Sequence, residues 1–241
     1  MSSVLMVLTG STVWTMKDGT PHPTGFWAEE FTKPHKTFSD AGLKVTIATP
    51  QGRTPVVDPL SLALPFNGND AAAVESHKAY IAAKKAVLES SKPLGTVDPA
   101  DFDVMFIVGG HGPMQDLAVD PDIGGLITAI LGDKNKMLAS ICHGTAAFLT
   151  AHDGKGQWLF KGRNLTAFSN QEETQASFAG NAPWLLEDRL RLAGANYVAK
   201  PAWTPHVVTD GNLVTGQQST SAQVTADAVM KMLKVSVRAH I

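Results

Sequence analysis

Apolar residues gather in short runs separated by longer amphipathic stretches. Four runs, Ser3–Leu8, Lys44–Thr49, Asp103–Val108 and Met137–Ile141, are rich in large aliphatic residues and short, which predicts strands buried in a parallel sheet. Helical spacing covers Phe26–Ala41, Ser76–Glu89, Ile123–Leu131 and Thr145–Thr150, and later Pro183–Ala193 and Thr225–Leu233. In the last of these, Val224, Ala228 and Met232 recur every four residues, with Val229 and Leu233 beside them on one apolar face. Asn164–Phe168 reads as a further strand, and Val207–Val208 and Leu213–Val214 flank Thr-Asp-Gly-Asn as a turn or hairpin. Strands alternating with helices predict an α/β fold: a mostly parallel central sheet sandwiched by helices. Pro50–Asn69 is the longest irregular stretch, rich in Pro and Gly, and is expected to be a loop that covers something.

A chain of 241 residues with 44% hydrophobic and 17% charged residues has ordinary globular composition. No repeat, charge run or long Gly/Ser linker marks a boundary, so a single domain over residues 1–241 is expected. The net charge of −2 shows no electrostatic footprint for nucleic acid or an anionic membrane. The apolar runs fall far short of the roughly 18 residues that a membrane span needs. The start, MSSVLMVLTGS, lacks a basic region and reads as a first strand, not a signal peptide. A lone cysteine forms no intrachain disulfide, which points to a reducing cytoplasm.

That cysteine, Cys142, stands where the strand ending at Ile141 runs into an Ala-rich helical segment. Such a strand-to-helix turn is a nucleophile elbow, and Gly144 suits its crowding. A helix N-terminus beside the sulfur is expected to favour thiolate. The bare thiol fits a buried structural cysteine equally well; its neighbours shift the reading toward chemistry. Gly109 and Gly110 end another core strand, and the Gly110 and His143 N–H groups are placed to form an oxyanion site. Glu29 and Glu30 open the first helix; only one can point into a pocket, and Glu30, four residues before Pro34, is the candidate. Trp27 is placed near the same site, whereas Trp158, Trp184 and Trp203 are read as core, interface or pocket residues. Glu172 and Glu173 fall in a loop after a strand, where a carboxylate is positioned to orient His143. The eight histidines include no His-x-His or His-Glu-x-x-His spacing, so no metal is expected; His77, His152 and His240 are read as exposed or satisfied locally.

Taken in order, TGFWAEEFTKP, AGLKVTIATPQG, VDPLS, FDVMFIVGGHG, SICHG, LTAFSNQEET, PWLLEDRLRLAGANY and DGNLVTGQQSTSA resemble the ThiJ/PfpI superfamily. That superfamily has the flavodoxin-like, class I glutamine amidotransferase-like fold, and the likeness is to its glutathione-independent glyoxalase III and heat-shock chaperone branch. The resemblance implies Cys142 as nucleophile, His143 as its partner, Glu173 completing a triad, Glu30 reaching the thiol and Gly109-Gly110 forming the oxyanion site. It also implies conversion of methylglyoxal or a related 2-oxoaldehyde to a 2-hydroxy acid (D-lactate) without glutathione, metal or other cofactor, and a homodimer. Two departures are visible. Thr145 stands where the branch often has proline, and the Gly-Gln-Asn-Pro-type segment reads Gly216-Gln217-Gln218-Ser219-Thr220.

The same thiol and oxyanion site would serve a cysteine amidase or peptidase, and a redox-sensing holdase chaperone is the reading without turnover. A glutaminase is disfavoured, because His206 is followed by Val207 and Val208, not by a His-x-Glu pattern.

Overall fold

The computed structural model describes residues 2–239, with side chains through residue 233. In chain order the elements are β1 (Ser3–Val7), β2 (Val13–Thr15), β3 (Pro21–Pro23), α1 (Ala28–Asp40), β4 (Lys44–Thr49), α2 (Ala71–Ala83), α3 (Lys85–Glu89), β5 (Lys92–Pro93) and β6 (Val104–Ile107). There follow α4 (Gly112–Gln115), α5 (Pro121–Gly132), β7 (Met137–Ile141), β8 (Asn164–Leu165), α6 (Asn170–Gln175) and α7 (Leu186–Ala193). The chain continues through β9 (Asn196–Tyr197), β10 (Val207–Asp210), β11 (Leu213–Gly216) and α8 (Ala222–Ala239).

Seven strands form one sheet in the order β10-β11-β7-β6-β1-β4-β5, parallel throughout except for the β10–β11 hairpin. Alternate residues of a strand feed opposite cores. From β1, Leu5 and Val7 join Met105, Ile107 and Leu138 against α5, while Val4 and Met6 join Phe106 and Ala139 against α1 and α8. Both faces are covered, which is why these strands read as continuous apolar runs.

Several expected elements differ. The helix expected at Ser76–Glu89 starts five residues earlier, where Asp70 caps the Ala72 and Ala73 N–H groups, and it breaks at Lys84. Asn164–Phe168 is strand only at Asn164–Leu165, which pairs with β9 outside the main sheet. The helix expected at Thr145–Thr150 is a 3-10 helix that already begins at Cys142. On α8 the buried stripe is Ala222, Ala226, Val229 and Leu233, with Val224 exposed, because Thr225 rather than Val224 shares the inner face. Pro50–Asn69 is a chain of short 3-10 turns.

The elbow at the end of β7 packs directly on β6. A Cβ on Gly144 would lie 2.7 Å from the Ile107 carbonyl oxygen and 2.9 Å from that of Val108. Backbone cannot yield as a flexible side chain can, so Gly144→Ala is expected to cost about 1–3 kcal/mol in urea denaturation. By contrast, Gly125 sits in the interior of α5 with nothing within 4 Å of its Cβ position. Gly125→Ala is expected to gain roughly 0.5–1 kcal/mol in the same measurement.

Candidate active site

β7 delivers Cys142 into a left-handed backbone conformation, φ 56°. For a non-glycine residue this costs on the order of 1–3 kcal/mol, and it reverses the chain sharply enough to present Sγ at the carboxyl edge of the sheet. The next residue, His143, places Nδ1 3.3 Å from that sulfur and Nε2 2.6 Å from Glu173 Oε2.

Glu173 lies on α6, not in a loop, and the sequence carried the signal for that helix. Ser169-Asn-Gln-Glu172 is a capping box: the Ser169 hydroxyl accepts from the Glu172 N–H, and the Glu172 carboxylate accepts from the Ser169 N–H at 2.9 Å. Glu172 thereby holds the start of the helix while its other oxygen accepts from the Trp203 N–H and Gln217 Nε2. Glu173, one position on, turns inward. Its second oxygen accepts from His111 Nε2 at 2.8 Å. Nothing in the sequence marks His111, because a single histidine in a glycine run carries no spacing signal. Trp14 stacks on its ring at 4.6 Å and 13°.

Glu173 settles the protonation pattern. An ionised carboxylate only accepts, so both imidazoles present Nε2–H to it, and a neutral ring then keeps its lone pair on Nδ1. Although burial alone raises it, the facing His143 and His111 rings hold the Glu173 carboxyl well below the usual carboxylate range. Burial lowers the His143 pKa against the pull of Glu173, which keeps that ring neutral at neutral pH. Its Nδ1 lone pair therefore faces the Cys142 S–H.

The expectation of a ready-made thiolate is overturned. Burial pushes the Cys142 thiol well above its ordinary value, and negative charge on Glu30 adds to this. The His143 and Gly110 backbone N–H groups do pull the other way, but burial outweighs them. The dipole of a short, enclosed 3-10 turn cannot replace the lost water. Glu30 is fully buried, and burial, then the charges of Glu29 and Asp58, raise its carboxyl to about 8. Gly109 N–H donates to its Oε2 at 3.0 Å, while Oε1 finds no partner of full hydrogen-bond geometry. Glu29 points away and pairs with Lys33. At neutral pH the resting pair is a protonated acid beside a neutral thiol, titrating as a unit.

Gly109 is needed for space: a Cβ there would lie 2.5 Å from Glu30 Oε2 and 2.8 Å from Cys142 Cβ. Gly110 adopts φ +100°, which turns its N–H toward the sulfur. The Trp27 N–H donates to the Gly109 carbonyl at 3.0 Å, and the Trp27 ring meets Phe66 edge-on at 5.4 Å. Phe66 belongs to the Pro50–Asn69 stretch, so that segment does cover the site. A compact recess results, walled by Trp27, Phe66, Phe168, Phe178 and Trp203 around Glu30, His111, Cys142 and His143. Among the described residues no lysine or arginine lines it. Trp158 and Trp184 lie elsewhere, against the core. Of the departures, Thr145 bonds Ser140 beneath the elbow at 3.1 Å, and Ser219 reaches the recess wall.

His111, His143 and Glu173 offer donor atoms within 4.8 Å of one another, a set that would hold a metal ion. These atoms are already committed to the two short hydrogen bonds, so an ion would have to expel both Nε2 protons. Of the remaining histidines, His77 bonds Thr32 at 2.7 Å and His152 the Thr150 carbonyl at 3.3 Å; His240 lies outside the described residues.

The Glu30 shift has a definite sign in stability. Its folded pKa is raised from 4.5 to about 8, so the native state binds the proton more tightly than the unfolded one. This contribution is fully present below 4.5 and lost as pH rises to about 8, on the order of 5 kcal/mol at most. Glu30→Gln carries no such proton. In urea denaturation between pH 5 and 8.5, its stability relative to wild type is expected to rise with pH; a constant difference would contradict the buried neutral acid.

Comparison with known proteins identifies the family of the chain. The DJ-1/PfpI family profile matches residues 23–232. Glyoxalase 3 of Candida albicans is 28% identical over 237 residues, spanning 95% of this chain and 98% of that protein. The glutathione-independent glyoxalase HSP31 of Saccharomyces cerevisiae is 29% identical over 238 residues, spanning 96% and 98%. The solved structure of the Rapid Encystment Protein 24 kDa of Francisella tularensis superposes with a TM-score of 0.86 at 30% identity, over 97% of this chain and 99% of that one. The chain thus belongs to the DJ-1/PfpI family, and within it resembles the glutathione-independent glyoxalases.

Proposed function

We propose that the chain is a cysteine-dependent, glutathione-independent glyoxalase that converts methylglyoxal or a related 2-oxoaldehyde to a 2-hydroxy acid, D-lactate from methylglyoxal. The observation that carries the reading is the His143 Nδ1 lone pair, held 3.3 Å from the Cys142 sulfur by an ionised Glu173, beside a protonated Glu30.

The neutral thiol gives its proton to His143 as sulfur attacks the aldehyde carbon, and Glu173 stabilises the imidazolium. The aldehyde oxygen takes that proton back from the His143 imidazolium, and a hemithioacetal results. Neutral His143 takes the proton from the former aldehyde carbon while Glu30 protonates the neighbouring carbonyl oxygen; the resulting enediol then takes the His143 proton at that neighbouring carbon and returns its other hydroxyl proton to Glu30. The product is a thioester on Cys142, which water cleaves to the hydroxy acid and free thiol. Glu30 is both close and protonated, as a proton shuttle requires. A small uncharged substrate suits a compact aromatic recess without cations. A peptide would need an open groove, which disfavours the amidase or peptidase reading. The holdase reading requires no recess chemistry at all. The proposal includes a cytoplasmic homodimer, for which the family resemblance is the support.

Incubation with methylglyoxal in the absence of glutathione is expected to yield D-lactate from the wild type and none from Cys142→Ser; a wild type that yields none overturns the reading. Glu30→Gln should still bind substrate as a hemithioacetal but turn over about 10²–10⁴-fold more slowly. Glu173→Gln presents an N–H where His143 needs an acceptor, which turns the imidazole to the wrong tautomer. Its kcat should fall by a comparable factor, roughly 10²–10⁴, with KM little changed.

A further inference from the structure

Glu173 orients two imidazoles, and the mechanism above uses one. His111 is 4% exposed, is pinned by Trp14 on one face and by Glu173 at Nε2, and borders the same recess as Cys142. Its ring centroid lies 4.2 Å from that of His143. The Nε2–H donated to Glu173 leaves a lone pair on Nδ1, and among the described residues that buried atom has no hydrogen-bond partner. Leaving such an atom unpaired costs about 1–3 kcal/mol, a cost that a hydrogen-bond donor would relieve. The site therefore holds two imidazoles in the same tautomer on one carboxylate, one turned to sulfur and one unengaged.

We propose that His111 is a second catalytic base, which takes the proton from the water that hydrolyses the acyl group on Cys142. Water oxygen bonds to the acyl carbon as one of its protons passes to His111 Nδ1. The C–S bond then breaks and sulfur takes a proton from Glu30. The His111 imidazolium, stabilised by Glu173, gives up its proton, and Glu30 regains one from solvent, so the sum is acyl-thiol plus water giving acid plus thiol. With oxoaldehydes this rests on the thioester-forming reading above, but any acyl group on Cys142 needs the same water.

The test uses p-nitrophenyl acetate, because release of p-nitrophenolate separates acylation (the burst) from hydrolysis of acetyl-Cys142 (the steady state). His111→Gln keeps an N–H for Glu173 and removes the basic lone pair. The result expected is an unchanged burst rate, a steady state slower by at least about tenfold, acetyl-enzyme accumulating in intact-mass spectra, and recovery of the steady state with added imidazole. An unaltered steady state, equal losses in both phases, or a wild type without a burst would each overturn the proposal. Equal losses would mean that His111 only supports the position of Glu173. If the two phases separate as described while methylglyoxal yields no lactate, the second base stands and the oxoaldehyde reading fails.

Discussion

One carboxylate governs this site. Glu173 accepts a hydrogen bond from His143 on one oxygen and from His111 on the other, in a pocket nearly closed to water. Because an ionised carboxylate has no proton to give, it dictates which nitrogen of each ring carries hydrogen and therefore what each ring shows to the recess. In the low dielectric of the interior it also offsets the charge that appears on either ring when a proton arrives. A neutral thiol is no obstacle in such a place, since its proton has an acceptor already aligned.

The chemistry so arranged differs from that of a cysteine activated by a helix terminus. There the sulfur is charged before substrate arrives. Here burial holds Cys142 and Glu30 neutral together. Both groups owe this state first to the same cause, burial away from water.

The sheet and the elbow were legible in the sequence for a simple reason. Strands covered on both faces read as apolar runs, and Lys44–Thr49 and Met137–Ile141 match their observed bounds. Cys142, His143, Glu30, Glu173, Gly109, Gly110 and Trp27 all converge, because the ends of β6 and β7 meet the starts of α1 and α6 there. What stayed hidden depends on contacts between distant segments. His111 acquires a role only when α6 brings Glu173 beside it, 62 residues further along the chain. The protonation of Cys142 is set by burial and by Glu30, which lies 112 residues earlier in the chain, and no local pattern encodes either. The true buried stripe of α8 follows from which of its faces meets α1, and α2 begins where Asp70 satisfies free N–H groups, a signal weaker than its apolar spacing.

Glu172 and Glu173 are consecutive on one helical turn yet serve different parts of the molecule. The first ties down Trp203, whose backbone is held at φ 63°, and the second orients the imidazoles. The wall that decides what fits and the groups that decide how protons move are thus two ends of a single rigid lever. A lineage that enlarged the recess by loosening the Trp203 loop would also tilt the histidines. New substrates are more accessible to this scaffold through Phe66, on a segment that touches neither glutamate's hydrogen bonds.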